Sequence, residues 1–348
     1  MARPCASPVP VGIRWMEPIW KAQAPCRISS FNTLPTIPSP TAIPNCSEPS
    51  RRYSKRFKMS DQQLTNTILR AEALMKSNWI HGLNLLEKAV KDYPEDPRPY
   101  MSLAEFYIRR QLFDKAIKNL QTASKLAPQN DSIKYLLGNC YFATGDYRTA
   151  IVYYDMIKNP FTDVQYNKAL ALAHLGETNQ CIALTKELLN KVDNLPFLYF
   201  LLVEQLLRLS EYDEALAYIR RAEQKVGKHG HLMFLKAIVY AQDQKWLQAY
   251  NAFTEADRIR PLKEPNYLFS YAMSALHTGL DDKAIEILFR AVEKDPYNHA
   301  LYEQILRLQI RKGRYKDAIE TVEKAEKYIT RFTPVLNLLK SRIKQEDT

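Results

Sequence analysis

The sequence predicts an all-α fold made by stacking copies of one helical hairpin, and three observations carry that expectation. Small residues recur at a near-constant spacing, at Gly82, Ala116, Ala150, Cys181, Ala215, Ala249, Ala284 and Ala318, with intervals of 34, 34, 31, 34, 34, 35 and 34. Two later positions keep the same register: Leu86, Leu120, Tyr154, Thr185, Ile219, Phe253, Leu288 and Val322, then Ala89, Ala123, Ile157, Leu188, Ala222, Ala256, Ala291 and Ala325. Only nine glycines in 348 residues argue against a strand-and-turn architecture. A hairpin of this length cannot bury its own apolar stripe, so it must stack on its neighbours.

Residues 97–130, PRPYMSLAEFYIRRQLFDKAIKNLQTASKLAPQN, show the unit most clearly. Tyr100, Leu103, Ala104 and Tyr107 fall on one face of a first helix, and Ala116, Leu120 and Ala123 on the matching face of a second, with Pro128 near the end. That spacing resembles the tetratricopeptide repeat, and the resemblance recurs eight times over residues 63–330. It implies antiparallel helix pairs stacked into a right-handed superhelical solenoid whose concave surface is lined by each first helix. It also implies a scaffold or adaptor for protein–protein interaction.

In chain order, residues 1–58 come first, with nine basic and two acidic side chains, ten of the twenty prolines and three of the five cysteines. No helical or strand period survives among Pro35, Pro38, Pro40, Pro44 and Pro49, so the tail is expected to be disordered. Met59-Ser60-Asp61 is read as the start of the protein, with the tail as upstream sequence. The alternatives are an organelle transit peptide and an ordinary disordered arm, and the expected location is otherwise cytoplasmic. The repeats then follow at 63–96, 97–130, 131–161, 162–195, 196–229, 230–263, 265–298 and 299–330, with a closing helix at 331–345. Arg70 stands where a small residue is usual, marking the first copy as a cap. The third copy is three residues short around Pro160, and the fourth is weak, with Lys168, Cys181 and Thr185 at core-type positions. One extra residue, near Glu264, precedes the seventh.

Charge excludes little. The net +11 is concentrated in the tail, and residues 59–348 carry only +4. That near balance argues against the runner-up reading, a helical-repeat RNA binder. The basic run RRYSKRFK at 51–58 reads as a solvated face. No metalloprotease, phosphate-loop, dinucleotide or nucleophile-elbow motif occurs, so neither an enzyme, a metal nor a cofactor is expected. His229 and His231 form a lone H-x-H, better placed in an inter-repeat loop than at a metal. A second alternative role is the non-catalytic subunit of a larger enzyme complex.

Two patterns are candidate binding features. Counting residue 97 as position 1 of its repeat, position 5 carries Met101, Tyr135, Tyr166, Phe200, Phe234 and Phe269, with Phe197 and Phe142 nearby. These rings either fill space between first helices or grip a partner segment through apolar anchors. Position 13 carries Arg109, His174, Arg208, His277 and Arg311, either a basic rail for an acidic partner or cations offsetting the helix dipole. The family's chaperone-tail clamp is incomplete here. Asn139 and Asn167 match its asparagines, but Tyr135, Phe197 and Leu201 replace its cations, which argues against capture of a chaperone C-terminus.

Overall fold

The computed structural model describes residues 49–329, and residues 1–48 and 330–348, with most of the tail and the expected closing helix, lie outside the described residues. Cα packing divides the chain into two units, Met1–Ser60 and Asp61–Thr348. Among the described residues there are sixteen α-helices and no strand. They pair in chain order as α1 (Pro49–Ser77) with α2 (Trp79–Asp92), α3 (Pro97–Arg109) with α4 (Phe113–Leu126), and α5 (Asp131–Ala143) with α6 (Tyr147–Asp155). Then come α7 (Thr162–Leu175) with α8 (Thr178–Lys191), α9 (Pro196–Arg208) with α10 (Tyr212–Val226), and α11 (Gly230–Gln242) with α12 (Trp246–Ile259). Last are α13 (Pro265–His277) with α14 (Asp281–Lys294) and α15 (His299–Arg311) with α16 (Tyr315–Glu326). None of these helices is long and apolar enough to cross a membrane.

Helix α1 begins at Pro49, so the backbone of residues 49–58, in the stretch that the sequence places before Met59, is helical. Pro49 fits a first helical turn, and no proline or glycine interrupts the chain from there to Ser77.

The hairpins form for local reasons that recur. Pro97, Pro196 and Pro265 open three first helices, where a missing N–H costs nothing. Asn78, Asp96, Asn130 and Asp146 each accept a backbone N–H from the first turn they precede. From the second hairpin onward every first helix ends alike. The residue at position 15 has positive φ, at Gln111, Gly145, Gly176, Ser210, Gln244, Gly279 and Gly313. The next N–H returns to the carbonyl five residues back, for example Leu112 to Tyr107, Glu211 to Leu206 and Leu280 to Ala275, at 2.9–3.0 Å. This is the Schellman closure, and it fixes the turn into the second helix.

Packing then follows the repeated positions. The small residues from Ala116 to Ala318 are fully buried, as are the apolar residues from Leu86 to Val322 in the second helices. Gly82 has to be small for a visible reason: a Cβ there would stand 2.8 Å from the Ala71 carbonyl oxygen of α1. Thr185, the polar exception, satisfies its hydroxyl by donating to the Cys181 carbonyl at 2.7 Å. Each helix packs on its chain neighbours, and first helices also touch one another directly, α5 to α7, α7 to α9, α9 to α11 and α11 to α13. That contact makes a continuous first-helix wall.

The irregular joints have their own supports. The short third hairpin ends in a nine-residue α6. Its last carbonyl region is held by buried Lys134, whose Nζ donates to the Met156 carbonyl at 3.1 Å and pairs with Asp131 at 2.8 Å. Lys168 does not occupy an apolar site; it pairs with Asp155 across this joint. Near the extra residue, Asp257 accepts from the Leu262 N–H at 2.7 Å and takes both arms of the Arg290 guanidinium at 2.8 Å, tying the longer loop to α14.

Candidate binding face on the first helices

The position-5 rings are set on the first-helix wall, and a rule unites the central ones. Each meets a residue near the start of the following first helix. Tyr166 lies 4.5 Å, between centroids, from Phe197; Phe200 lies 4.7 Å from His231; Phe234 lies 4.0 Å from Tyr267. At the short joint Tyr135 instead meets Phe161, at 5.1 Å. Offset or edge contacts of this kind add about 0.5–1.5 kcal/mol beyond burial, so the rings stitch hairpin to hairpin.

Most of these rings remain accessible on one side. Met101, Tyr135, Tyr166, Phe197, Phe200 and Phe269 are half-buried. Phe234 is different: only 4% of it is exposed, enclosed by Tyr267, His231 and Phe253. It fills space between helices, and a partner cannot reach it. That removes Phe234 from the anchor series.

Helix α9 shows the face best. Leu198, Tyr199, Leu201, Leu202, Val203, Gln205, Leu206 and Leu207 are all buried, which leaves Phe197, Phe200, Glu204 and Arg208 as one open stripe at i, i+3, i+7 and i+11. Glu204 is the acid in the ring cluster. Its side chain is 42% exposed, and its carboxylate stands 3.7 Å from His231 Nε2. Burial raises the Tyr166 and Tyr267 phenols well above their usual range, and the Glu204 charge pushes both further the same way.

The five position-13 residues are engaged within the chain. His174 stacks on Tyr147 at 4.6 Å, His277 stacks on Trp246 at 4.0 Å, and Arg311 pairs with Asp281 at 2.9 Å. In these three cases the partner is the first residue of the preceding second helix, so position 13 acts as a clasp across the joint. Arg208 donates to the Ala173 carbonyl at 3.3 Å, and Arg109 pairs with Glu105 at 3.4 Å. Burial and the neighbouring Arg208 also hold His174 below the usual imidazole range, which leaves it uncharged at neutral pH.

The two asparagines of the family clamp are likewise occupied. Asn139 Oδ1 accepts from the Tyr154 hydroxyl at 2.8 Å and from Asn167 Nδ2 at 3.0 Å. His229 is the N-cap of α11, its Nδ1 accepting the His231 N–H at 3.2 Å, so the H-x-H straddles a helix start. Among the described residues no group of three or more His, Cys, Asp or Glu side chains is placed to hold a metal ion. Burial pushes the thiols of Cys140 and Cys181 up to about 12 and about 11, the state of an inert core residue. Glu204 and Tyr267 were not singled out by sequence, and His231 was weighed only as half of an H-x-H. A signal was available for His231, which repeats at position 2 the place Phe197 holds one hairpin earlier.

Comparison with known proteins agrees with this architecture. Residues 75–157 match the family described as "Anaphase-promoting complex, cyclosome, subunit 3". The chain is 25% identical over 229 residues to the TPR repeat-containing protein YpiA of Bacillus subtilis (strain 168). That match covers 64% of this chain and 53% of YpiA, so the chain spans about half the length of that relative. The C-terminal part of a TPR repeat-containing protein from Cytophaga hutchinsonii superimposes with a TM-score of 0.56 at 16% identity, covering 68% of this chain and 99% of that one. A tetratricopeptide repeat protein from Parabacteroides merdae does so with a TM-score of 0.53 at 15% identity, covering 70% and 96%. At these identities the structural likeness speaks for the fold.

Proposed function

We propose that the chain, whose fold is that of tetratricopeptide repeat proteins, is an interaction scaffold holding a segment of a partner protein against its first-helix wall. The observation that carries this reading is the open stripe of α9. A helix that buries almost every other side chain leaves Phe197 and Phe200 only half-buried, and Phe200 shares its register position with Tyr166 on α7 and Phe269 on α13. Large rings held rigid at one side and open at the other are what an apolar anchor of a partner needs. The clasps at position 13 and the Asn139 network leave the polar features of this face less to offer.

Affinity purification of the full chain, followed by mass spectrometry, identifies the partner. Changing Phe197 and Phe200 together to Ser is expected to weaken its capture by more than tenfold, since a central aromatic anchor is worth about 2 kcal/mol or more. Circular dichroism checks that the helices persist. Undiminished capture by a folded double variant overturns the reading. A non-catalytic subunit of a larger assembly is the second reading, favoured by the family match over residues 75–157. It requires the partner to stay bound through gel filtration.

A further inference from the structure

Resting on that reading, we infer that the partner segment carries a lysine or arginine seated at Glu204, among Tyr166, Phe197, Phe200, His231 and Tyr267. The argument is one of charge. Glu204 sits in the middle of the open stripe of α9, directly after Phe197 and Phe200 on the same face. The Glu204 carboxylate stands 3.7 Å from His231 Nε2, too far for a hydrogen bond. Arg208, one turn further on, donates to the Ala173 carbonyl. A wholly apolar segment laid over this face would strip water from the carboxylate and supply no partner, a costly arrangement. An acidic segment would add repulsion to that loss.

A cationic side chain resolves both problems. Its charge meets the Glu204 carboxylate, and its flanks lie against ring faces whose quadrupoles favour a cation. Arginine fits better than lysine, because a planar guanidinium can stack on a ring while forking onto a carboxylate. This is the opposite polarity to the carboxylate clamp whose cations Tyr135, Phe197 and Leu201 replace.

The test pans the full chain against random linear peptides displayed on phage, then synthesises the recovered consensus together with a copy in which its cation is replaced by norleucine. Both peptides are titrated by fluorescence anisotropy. The expected consensus holds Arg or Lys beside apolar residues. The norleucine copy should bind wild type about tenfold more weakly or worse, the worth of one charge-assisted contact. Glu204→Gln should weaken the cationic peptide by a similar factor and leave the norleucine copy unchanged. A consensus without a cation, or equal binding of the two peptides to wild type, overturns the inference. If those peptides still lose affinity for the Phe197→Ser, Phe200→Ser variant, the binding face itself survives. Peptides that bind this variant as well as wild type, or a selection that recovers nothing, count against the face as well as the cation.

Discussion

Position 15 of each hairpin shows how far a single backbone angle reaches. Seven hairpins place this residue at positive φ, and four of them use glycine. Gln111, Ser210 and Gln244 reach the same conformation at φ of 58–59°, where a Cβ crowds the following carbonyl. The cost is about 1 kcal/mol each, partly offset because glycine loses more freedom on folding. Gln111→Gly, Ser210→Gly and Gln244→Gly should therefore each raise stability by about 0.5–1 kcal/mol, read as a higher urea midpoint with an unchanged slope. Gly279→Ala should lower it by a similar amount through strain alone, since an added Cβ there meets nothing within 4 Å. Three glycine variants all less stable than wild type would show that the turn is not strained. The residue scale also explains why Phe234 looked like an anchor. Its place on the helix matches Phe200, and Tyr267, brought by the next hairpin, closes over it together with His231 and Phe253. Nothing in the sequence around Phe234 announces that lid.

Pairs of helices were legible from sequence because their contacts are local. Ala116 against Ala104 and Gly82 against Ala71 depend only on two backbones approaching within one hairpin, and spacing reports that directly. Joints between hairpins were less legible, because they pair residues about one repeat apart through chemistry that changes from copy to copy. His277 uses Trp246 where Arg311 uses Asp281. The joint after α12 permits a prediction. Burial by itself would raise the Asp257 carboxyl, but the Arg290 fork and the Leu262 N–H outweigh it and hold the group below its usual range. A carboxyl depressed in the folded state stabilises fully above its unfolded pKa of about 3.9, and the contribution fades as pH falls through the lower folded value. Asp257→Asn should thus cost about 1 kcal/mol at pH 7, allowing for solvent screening of an Arg290 side chain that is 35% exposed. The gap from wild type should narrow below about pH 4. Thermal melts of both proteins across that range check it, and a gap that stays constant would assign the effect to shape instead of charge.

Across the Asp61–Thr348 unit, the distribution of apolar contact is uneven. One cluster of buried residues runs unbroken from Ile182 in α8 to Ala325 in α16. Before it the core is divided into separate groups, from Leu64 to Leu103, Ala104 to Cys140, Ala150 to Val164, and Ala169 to Leu201. The breaks have a chemical cause at the short third hairpin. There the neighbours meet through Tyr154, Asn139 and Asn167, through Lys134 on the Met156 carbonyl, and through Lys168 with Asp155. Polar contacts of this kind satisfy buried groups but contribute only about 1 kcal/mol each, less than a buried leucine. In a stacked array stability is close to a sum of hairpin and joint terms, so a weak joint lets one side open without the other. Native-state hydrogen exchange should therefore find amides of α9 to α15 opening together, at the highest free energy in the chain. Amides of α3 to α6 should open separately and more cheaply, with smaller dependence on denaturant. Replacing Asn139 and Asn167 together by Leu and Tyr154 by Phe, which turns this seam apolar without stranding the Tyr154 hydroxyl, should bring the two regions closer. A single opening energy shared by Leu120 and Phe253 in the wild-type chain would mean that the seam transmits stability as well as the apolar joints do. The proposed binding face would then rest on one cooperative body, where the divided core instead predicts a firm half, carrying Phe197, Phe200 and Glu204, and a yielding half carrying Met101 and Tyr135.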